Sequence, residues 1–316
     1  MTSKQDILSL FEKVRRAQRQ GQYAPHKPLL LLLALARLQR GEPRLVLYRD
    51  IDLQLKELLR SFGPSSAPSS RHYPFWHLRT DADGSLWDLQ ADAGLLERPP
   101  AATPNLGELR DKQVQGGFSA KVDTALRQTP GLIQTVVRSV LASAFPETLH
   151  EDIIASVGLD LSQSLYSKEG PAVYDPAVRR RRNPAFRERV LLAYEYRCCV
   201  CGFDLKVCHL PAGLEAAHIH WHTNGGPDVE TNGLALCALH HKLFDLGAFT
   251  IEPTELRVIY SQHAIASRQQ DQQTPDSELR HHGVPLKSPQ AIHQRPAPEH
   301  LSWNLRNVFK GPARPF

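Results

Sequence analysis

The chain has 316 residues, of which 41% are apolar and 22% charged, an ordinary globular mixture that argues against wholesale disorder. Its 38 Lys+Arg against 33 Asp+Glu leave a formal charge of +5, a mildly basic balance that slightly favours a polyanionic partner. The longest uncharged apolar run, residues 28–36, is too short to cross a bilayer, and the N-terminus mixes charges among its apolar residues. Membrane and secreted classes are therefore disfavoured and a cytoplasmic protein is expected.

Ile7, Leu8, Leu10, Phe11 and Val14 recur near helical spacing, which predicts a helix over 4–20 ended by Gly21. Pro28 then suits the first position of a helix whose run 29–35 is apolar on every side, the expected buried spine of the first domain. Residues 45–48 read as a short strand and 51–59 as a helix. Beyond a Pro/Ser loop at 64–70, the aromatic segment 71–78 has strand character. A turn at 81–84 leads to its expected hairpin partner at 86–89. Residues 132–144 and 146–154 read as helices. Together these elements predict a mixed helical domain with a small sheet over residues 1–160.

A polar linker, 161–182, ends in the basic block Arg179-Arg180-Arg181-Arg182, with Arg187 and Arg189 close behind. Such a block can track phosphates, or simply be solvated. Asn183-Pro184 opens a new helix, with Asn as N-cap, and starts a second domain over 183–316. Residues 268–278 are Gln/Asp-rich and read as a loop. Trp303, Leu305, Val308 and Phe309 predict a final helix that docks back. The expected fold class is α+β.

The five cysteines, Cys198, Cys199, Cys201, Cys208 and Cys237, all lie within one short region. An odd number so crowded fits a metal site in a reducing compartment better than a disulfide framework. Cys198 and Cys201 form a C-x-x-C, and Cys237 and His240 a C-x-x-H. Two such knuckles have the spacing of a tetrahedral structural Zn²⁺ site, which would couple metal binding to folding. Merely buried thiols, or a Cys208-His209 pair, are the alternatives.

Between and beyond the knuckles stand Leu214-Glu215-Ala216-Ala217-His218-Ile219, Gly225-Gly226, Asn232-Gly233-Leu234 and His241. His, Asn and His in this order around the staple resemble the ββα-metal finger of HNH nucleases. The resemblance implies that His218 is the general base, that Asn232 orients the loop carrying it, and that His241 binds a catalytic Mg²⁺ or Mn²⁺. The chemistry suits phosphodiester hydrolysis: an imidazole titrates near neutral pH, and a cation stabilises the charge developing on phosphate. Successive residues on a helix point about 100° apart, so His240 can face zinc while His241 faces elsewhere. Many HNH sites carry an acid where this chain has Ala217, which leaves Glu215, His220 and His222 as candidates for the missing ligand. The Ala-Ala-His-Ile sequence is similar to the McrA-like, modification-dependent branch.

In the first domain, Arg19, the loop Tyr23-Ala24-Pro25-His26-Lys27-Pro28 and the segment Arg71-His72-Tyr73-Pro74-Phe75-Trp76 resemble the sulfur-binding domain of phosphorothioate-dependent restriction enzymes. The resemblance implies that Tyr73 and Pro74 form an apolar dish for sulfur while Arg19, His26 and Lys27 hold the DNA backbone and base edges. Sulfur is softer and less hydrated than oxygen, so such a dish accepts it and penalises a phosphate oxygen. The family closes the pocket with a small residue where this chain has His77, which implies a pocket that is tighter or partly polar. The expected protein is a restriction endonuclease acting on phosphorothioated duplex DNA, a homodimer because two strands need two active sites. Two rival readings stand beside it. One is a nuclease that cages a flipped, modified base with Tyr73, Phe75 or Trp76. The other is a zinc-stapled DNA-binding protein without catalysis.

Overall fold

The leucine run at 29–33 lies wholly inside, as the lack of a polar face requires. It belongs to the first of two compact units, Met1–Val178 and Arg179–Phe316, into which the chain divides. The computed structural model describes residues 3–19, 21–64, 66–99, 102–160, 184–265 and 279–316. The predicted linker 161–182, the cap at Asn183 and the loop 268–278 fall outside the described residues. The fold is α+β, and no helix among the described residues is long and apolar enough to cross a membrane.

The first unit runs α1 (Lys4–Glu12), β1 (Gln18–Arg19), β2 (Gln22–Tyr23), α2 (His26–Gln39), β3 (Val46–Leu47), α3 (Tyr48–Phe62), α4 (His72–His77), β4 (Trp87–Gln90), α5 (Ala93–Leu96), α6 (Leu106–Asp111), β5 (Gln115–Phe118), α7 (Ala120–Gln128), α8 (Leu132–Ala144) and α9 (His150–Val157). Helix α2 is the spine, packed by α3, α4, α8 and α9. The helix expected over 4–20 stops at Glu12. Beyond it the apolar face ends at Val14, and Arg15 and Arg16 turn to tertiary partners, Asp81 and the Ser143 carbonyl. Gly21 then sits between β1 and β2 and does not cap a helix.

The aromatic segment 71–78 is helical, not a strand. Its β propensity loses to burial: a helix puts the neighbours Phe75 and Trp76 into the core together, which an alternating strand cannot do. Arg71 anchors the start of α4 by pairing with buried Asp52 at 2.7 Å, and Tyr48 donates to the same carboxylate at 2.7 Å. Strand β4 accordingly pairs with β5, in the sheet order β3-β5-β4, and not with 71–78. The glycines of β5 hide it from a propensity reading. They are required by close approach: a Cβ on Gly117 would lie 1.9 Å from the Arg44 carbonyl oxygen, a backbone atom that cannot step aside. Gly117→Ala is therefore expected to cost several kcal/mol, read as a large fall in melting temperature.

The second unit runs α10 (Pro184–Ala193), β6 (Lys206–Val207), β7 (Leu210–Pro211), β8 (Leu214–His218), β9 (Gly233–Cys237), α11 (Ala238–Asp245), β10 (Phe249–Ile251), β11 (Val258–Tyr260) and α12 (Pro298–Asn307). Strands β8 and β9 pair antiparallel from Leu214↔Cys237 to His218↔Gly233, with α10 and α11 packed on them. Val190, Leu234, Leu236, Phe244 and Phe249 lie in the core this creates. Arg187 and Arg189, read with the basic block, instead hold backbone: Arg187 donates to the Leu214 carbonyl at 3.0 Å and Arg189 to that of Asp228 at 2.7 Å. On the predicted last helix, α12, buried Asn304 donates to the Ile219 carbonyl at 3.3 Å, just beyond β8.

Candidate functional site

Helix α11 begins directly after Cys237, so Cys237 and His240 share its first turn. The first knuckle is tied to β9 by the Cys199 N–H, which donates to the Ala235 carbonyl at 2.8 Å. The ligand atoms of Cys198, Cys201, Cys237 and His240 thereby come within 4.8 Å of one another, the one group of this kind among the described residues. The Cys201 and Cys237 sulfurs are 3.9 Å apart. That is close to the edge of a tetrahedron with metal–sulfur bonds of about 2.3 Å, and three sulfurs with one imidazole form a zinc-type donor set. The neighbouring Cys237 thiol, with His240, draws the Cys198 thiol well below its ordinary range, toward the thiolate a metal needs. Cys199 is buried outside the cluster, and Cys208 is exposed beyond it, which resolves the two surplus cysteines.

His241, the next residue, points elsewhere. Its Nδ1 meets a Glu215 carboxylate oxygen on β8, and its Nε2 lies 3.3 Å from Asp245 Oδ2, one turn further along α11. Burial disfavours the charged ring, but Asp245 and Glu215 outweigh it and push its pKa up to about 9. Holding a metal there requires the ring to surrender its proton, so the site weakens as pH falls. Of the three candidates for the missing ligand, Glu215 is the one brought to His241. His220 lies 3.2 Å from the Asn224 carbonyl and stacks on Trp303, while His222 lies near His218.

His218 ends β8. It stacks on Phe186 of α10, with centroids 4.1 Å apart and planes 15° from parallel, and its Nε2 lies 2.8 Å from Asp228 Oδ1. Asn232 is fully buried and closes the intervening loop. It accepts from the His220 N–H at 2.8 Å and donates to the carbonyls of His220 at 3.0 Å and Pro227 at 2.9 Å. The loop turns tightly enough that a Cβ on Gly226 would lie 1.8 Å from the His220 carbonyl oxygen. Strand β8 thus contributes one member to each of two imidazole–carboxylate pairs, His218 with Asp228 of the following loop and Glu215 with His241 of α11. Sequence reasoning missed Asp228 and Asp245. The i,i+4 spacing of His241 and Asp245 on a helix was a usable signal for the second; nothing local marked the first.

In the first unit, Tyr73 is 46% exposed, over the buried Pro74. The His77 ring lies parallel to it, 6° off, at 5.9 Å, and His72 flanks it at 4.5 Å. His77 Nε2 lies 2.8 Å from Thr103 Oγ1. Burial, with Lys27 and Arg79 nearby, holds the His77 pKa below its ordinary value, so the ring is neutral at pH 7. Arg79 covers the Trp76 ring at 4.0 Å. Lys27 and Arg15 both pair with fully buried Asp81, which holds two cations near the His77 ring. Arg15, Arg79 and Thr103 were not anticipated. His26 braces the segment before α4: its Nε2 lies 3.0 Å from the Ala67 carbonyl and 2.9 Å from Ser70 Oγ. Arg19 lies in β1. Phe75 and Trp76 are core, which leaves Tyr73 as the exposed one of the three rings offered for a flipped-base cage.

The profile of the family described as ScoMcrA-like, DNA sulfur-binding domain matches residues 4–162, and that of HNH endonuclease matches 198–252. No curated protein matches the chain. Among solved structures, the sulfur-binding domain of ScoMcrA complexed with phosphorothioated DNA is 23% identical over 48% of this chain and 94% of that chain, with a TM-score of 0.42. The Type IV phosphorothioation-dependent restriction endonuclease ScoMcrA is 23% identical over 48% of this chain and 27% of its own, with a TM-score of 0.38. The modification-dependent TagI restriction endonuclease is 26% identical over 39% of this chain and 37% of its own, with a TM-score of 0.28. With the first profile covering half its length and the second most of the region around the cysteines, the chain belongs to the ScoMcrA-like family of DNA sulfur-binding domain proteins and carries an HNH endonuclease domain behind that domain.

Proposed function

We propose that this protein is a cytoplasmic, modification-dependent restriction endonuclease. Residues 1–160 capture phosphorothioated duplex DNA, the basic linker 161–182 tracks phosphates, and residues 183–316 hydrolyse nearby phosphodiester bonds by a one-metal mechanism. Two copies act together, one per strand. The observation that carries the reading is the strand β8 with helix α11. They present His218, Glu215 and His241 on two adjoining elements, while the Cys198, Cys201, Cys237, His240 cluster staples that helix to the first knuckle.

In this reading His218 takes a proton from the attacking water, and Asn232 keeps the loop beside it closed. His241 and Glu215, an imidazole and oxygen donor pair, would hold Mg²⁺ or Mn²⁺, while Asp245 at the other ring nitrogen would orient the imidazole. When bound, that ion supplies positive charge to the scissile phosphate. Zn²⁺ in the cysteine cluster is structural. A catalyst-free DNA-binding protein has no use for two imidazole–carboxylate pairs, each with one member on β8. Cleavage of a plasmid by the zinc-loaded chain when Mn²⁺ is added, set against no cleavage without an added divalent ion, tests the nuclease half.

For the recognition half, Tyr73 and Pro74 supply the apolar contact for sulfur, with Lys27, Arg15 and Arg79 placed for phosphates. His77, neutral and held to Thr103, narrows the dish. Arg19 and His26 complete the binding set, His26 through its brace on the chain before α4. Tyr73→Ala is expected to reduce the preference for a phosphorothioate duplex over its oxygen counterpart by about tenfold, in competition binding at fixed salt. Equal affinities of the unmutated chain for the two duplexes would reject the sulfur reading and leave the nuclease standing.

A further inference from the structure

We infer that Asp228 is a positioning residue for His218, an inference that rests on the nuclease reading above. Asp228 Oδ1 lies 2.8 Å from His218 Nε2, and both side chains are largely buried, 19% and 11% exposed. A carboxylate only accepts, so Nε2 carries the hydrogen and the neutral ring keeps its lone pair on Nδ1. His222 comes no nearer than 4.0 Å to the same carboxylate oxygen, outside hydrogen-bonding range, so His218 is the ring that Asp228 orients.

Asp228 is itself held from several sides. Arg189 of α10 donates to its backbone carbonyl at 2.7 Å and pairs with Glu230 at 2.7 Å. Asn232 donates to the carbonyl of the preceding Pro227 at 2.9 Å, and its own N–H donates to the Val229 carbonyl at 2.9 Å. Phe186 confines the opposite partner, because its face lies against the His218 ring at 4.1 Å. The pair is thus fixed at both ends by elements outside it. Such restraint serves catalysis in two ways. It keeps one tautomer and one ring orientation, and it places a negative charge beside the imidazolium that forms when the water proton arrives. Asn232 gains a further duty here, since the loop that it closes is the one that delivers Asp228.

The test is a double-mutant cycle in the full, zinc-loaded chain, reading single-turnover cleavage of phosphorothioate-bearing plasmid with Mn²⁺, duplex affinity and zinc content. Asp228→Ala and Asp228→Asn are each expected to slow cleavage by about 10²-fold with affinity and zinc content unchanged. Asp228→Ala added to His218→Ala is expected to cost nothing more, because the residue acts only through that ring. The inference is overturned if the two losses multiply, if Asp228→Asn, which preserves the shape of the loop, cuts at the unmutated rate, or if either variant loses zinc or affinity. An unmutated chain that cuts neither marked nor unmarked plasmid overturns the nuclease reading and this inference together. An active unmutated chain with active Asp228 variants overturns the inference alone.

Discussion

His218→Ala is expected to slow DNA cleavage by about 10²–10⁴-fold, the range for removing a general base, while duplex affinity stays within about twofold. The separation follows from where the residue sits. His218 is at the end of β8 in the second unit, whereas the exposed Tyr73, with Lys27 and Arg15 on Asp81, lies in the first. Removing the imidazole leaves the β8–β9 pairing intact, because that pairing runs through backbone and His218 is opposite Gly233, which has no side chain to lose contact with it. The stack on Phe186 is lost, a packing change of the order of 1 kcal/mol, too small to unfold the unit. A plasmid assay supplemented with Mn²⁺, run beside an affinity measurement, checks both halves. Full cleavage by the variant would reject His218 as the base.

The second large effect concerns zinc. Stripping the metal with a chelator, or replacing Cys201 by Ser, is expected to abolish the cooperative unfolding transition of the second unit and expose it to protease. The cluster is the joint between the first knuckle and helix α11, and through that helix it sets His241 against Glu215. Structural zinc in small domains binds with roughly 10–16 kcal/mol, as much as the whole stability of an ordinary domain. Without it, three sulfurs within a few ångströms of one another are left uncompensated beside a core of Phe244 and Phe249. Cleavage is lost for the same reason, but binding of the marked duplex by the first unit persists. One zinc per chain by elemental analysis, and an unchanged melting curve after chelation, are the results that respectively support and sink this account.

The ligand set of the metal-binding cluster, three cysteines and one histidine, was legible because its information is local. A metal with bonds of about 2.3 Å to sulfur dictates a short reach between ligands, and short reach in space becomes short spacing in sequence, C-x-x-C and C-x-x-H. The buried spine at 29–33 was legible for a similar reason, since a helix with no polar face has only one place to go. The division of labour between His240 and His241 followed from helical geometry alone, and the structure has each facing its own partners. The aromatic segment 71–78 was not legible. Tyr, Phe and Trp favour strands in isolation, and only the competition for core space decided for a helix, with Arg71 locked onto Asp52 at its start. Strand β5 was hidden by its glycines, where a side chain would meet the Arg44 backbone at Gly117 and the Phe75 and Trp87 rings at Gly116, all from other parts of the chain.

The sequence by itself determined the α+β class, the leucine core, the three sulfurs and one imidazole of the metal cluster, and the presence of His218, Asn232 and His241 around it. The tertiary structure alone decided which charges meet. Asp228 reaches His218 from ten positions along the chain, Glu215 reaches His241 from another element, and Asp81 gathers Arg15 and Lys27 from far along the chain. Helical and strand periods act over a few residues and leave their mark in the order of residues. A hydrogen bond closed by a loop or by the register of two strands depends on where distant backbone comes to rest, and no short-range pattern encodes that.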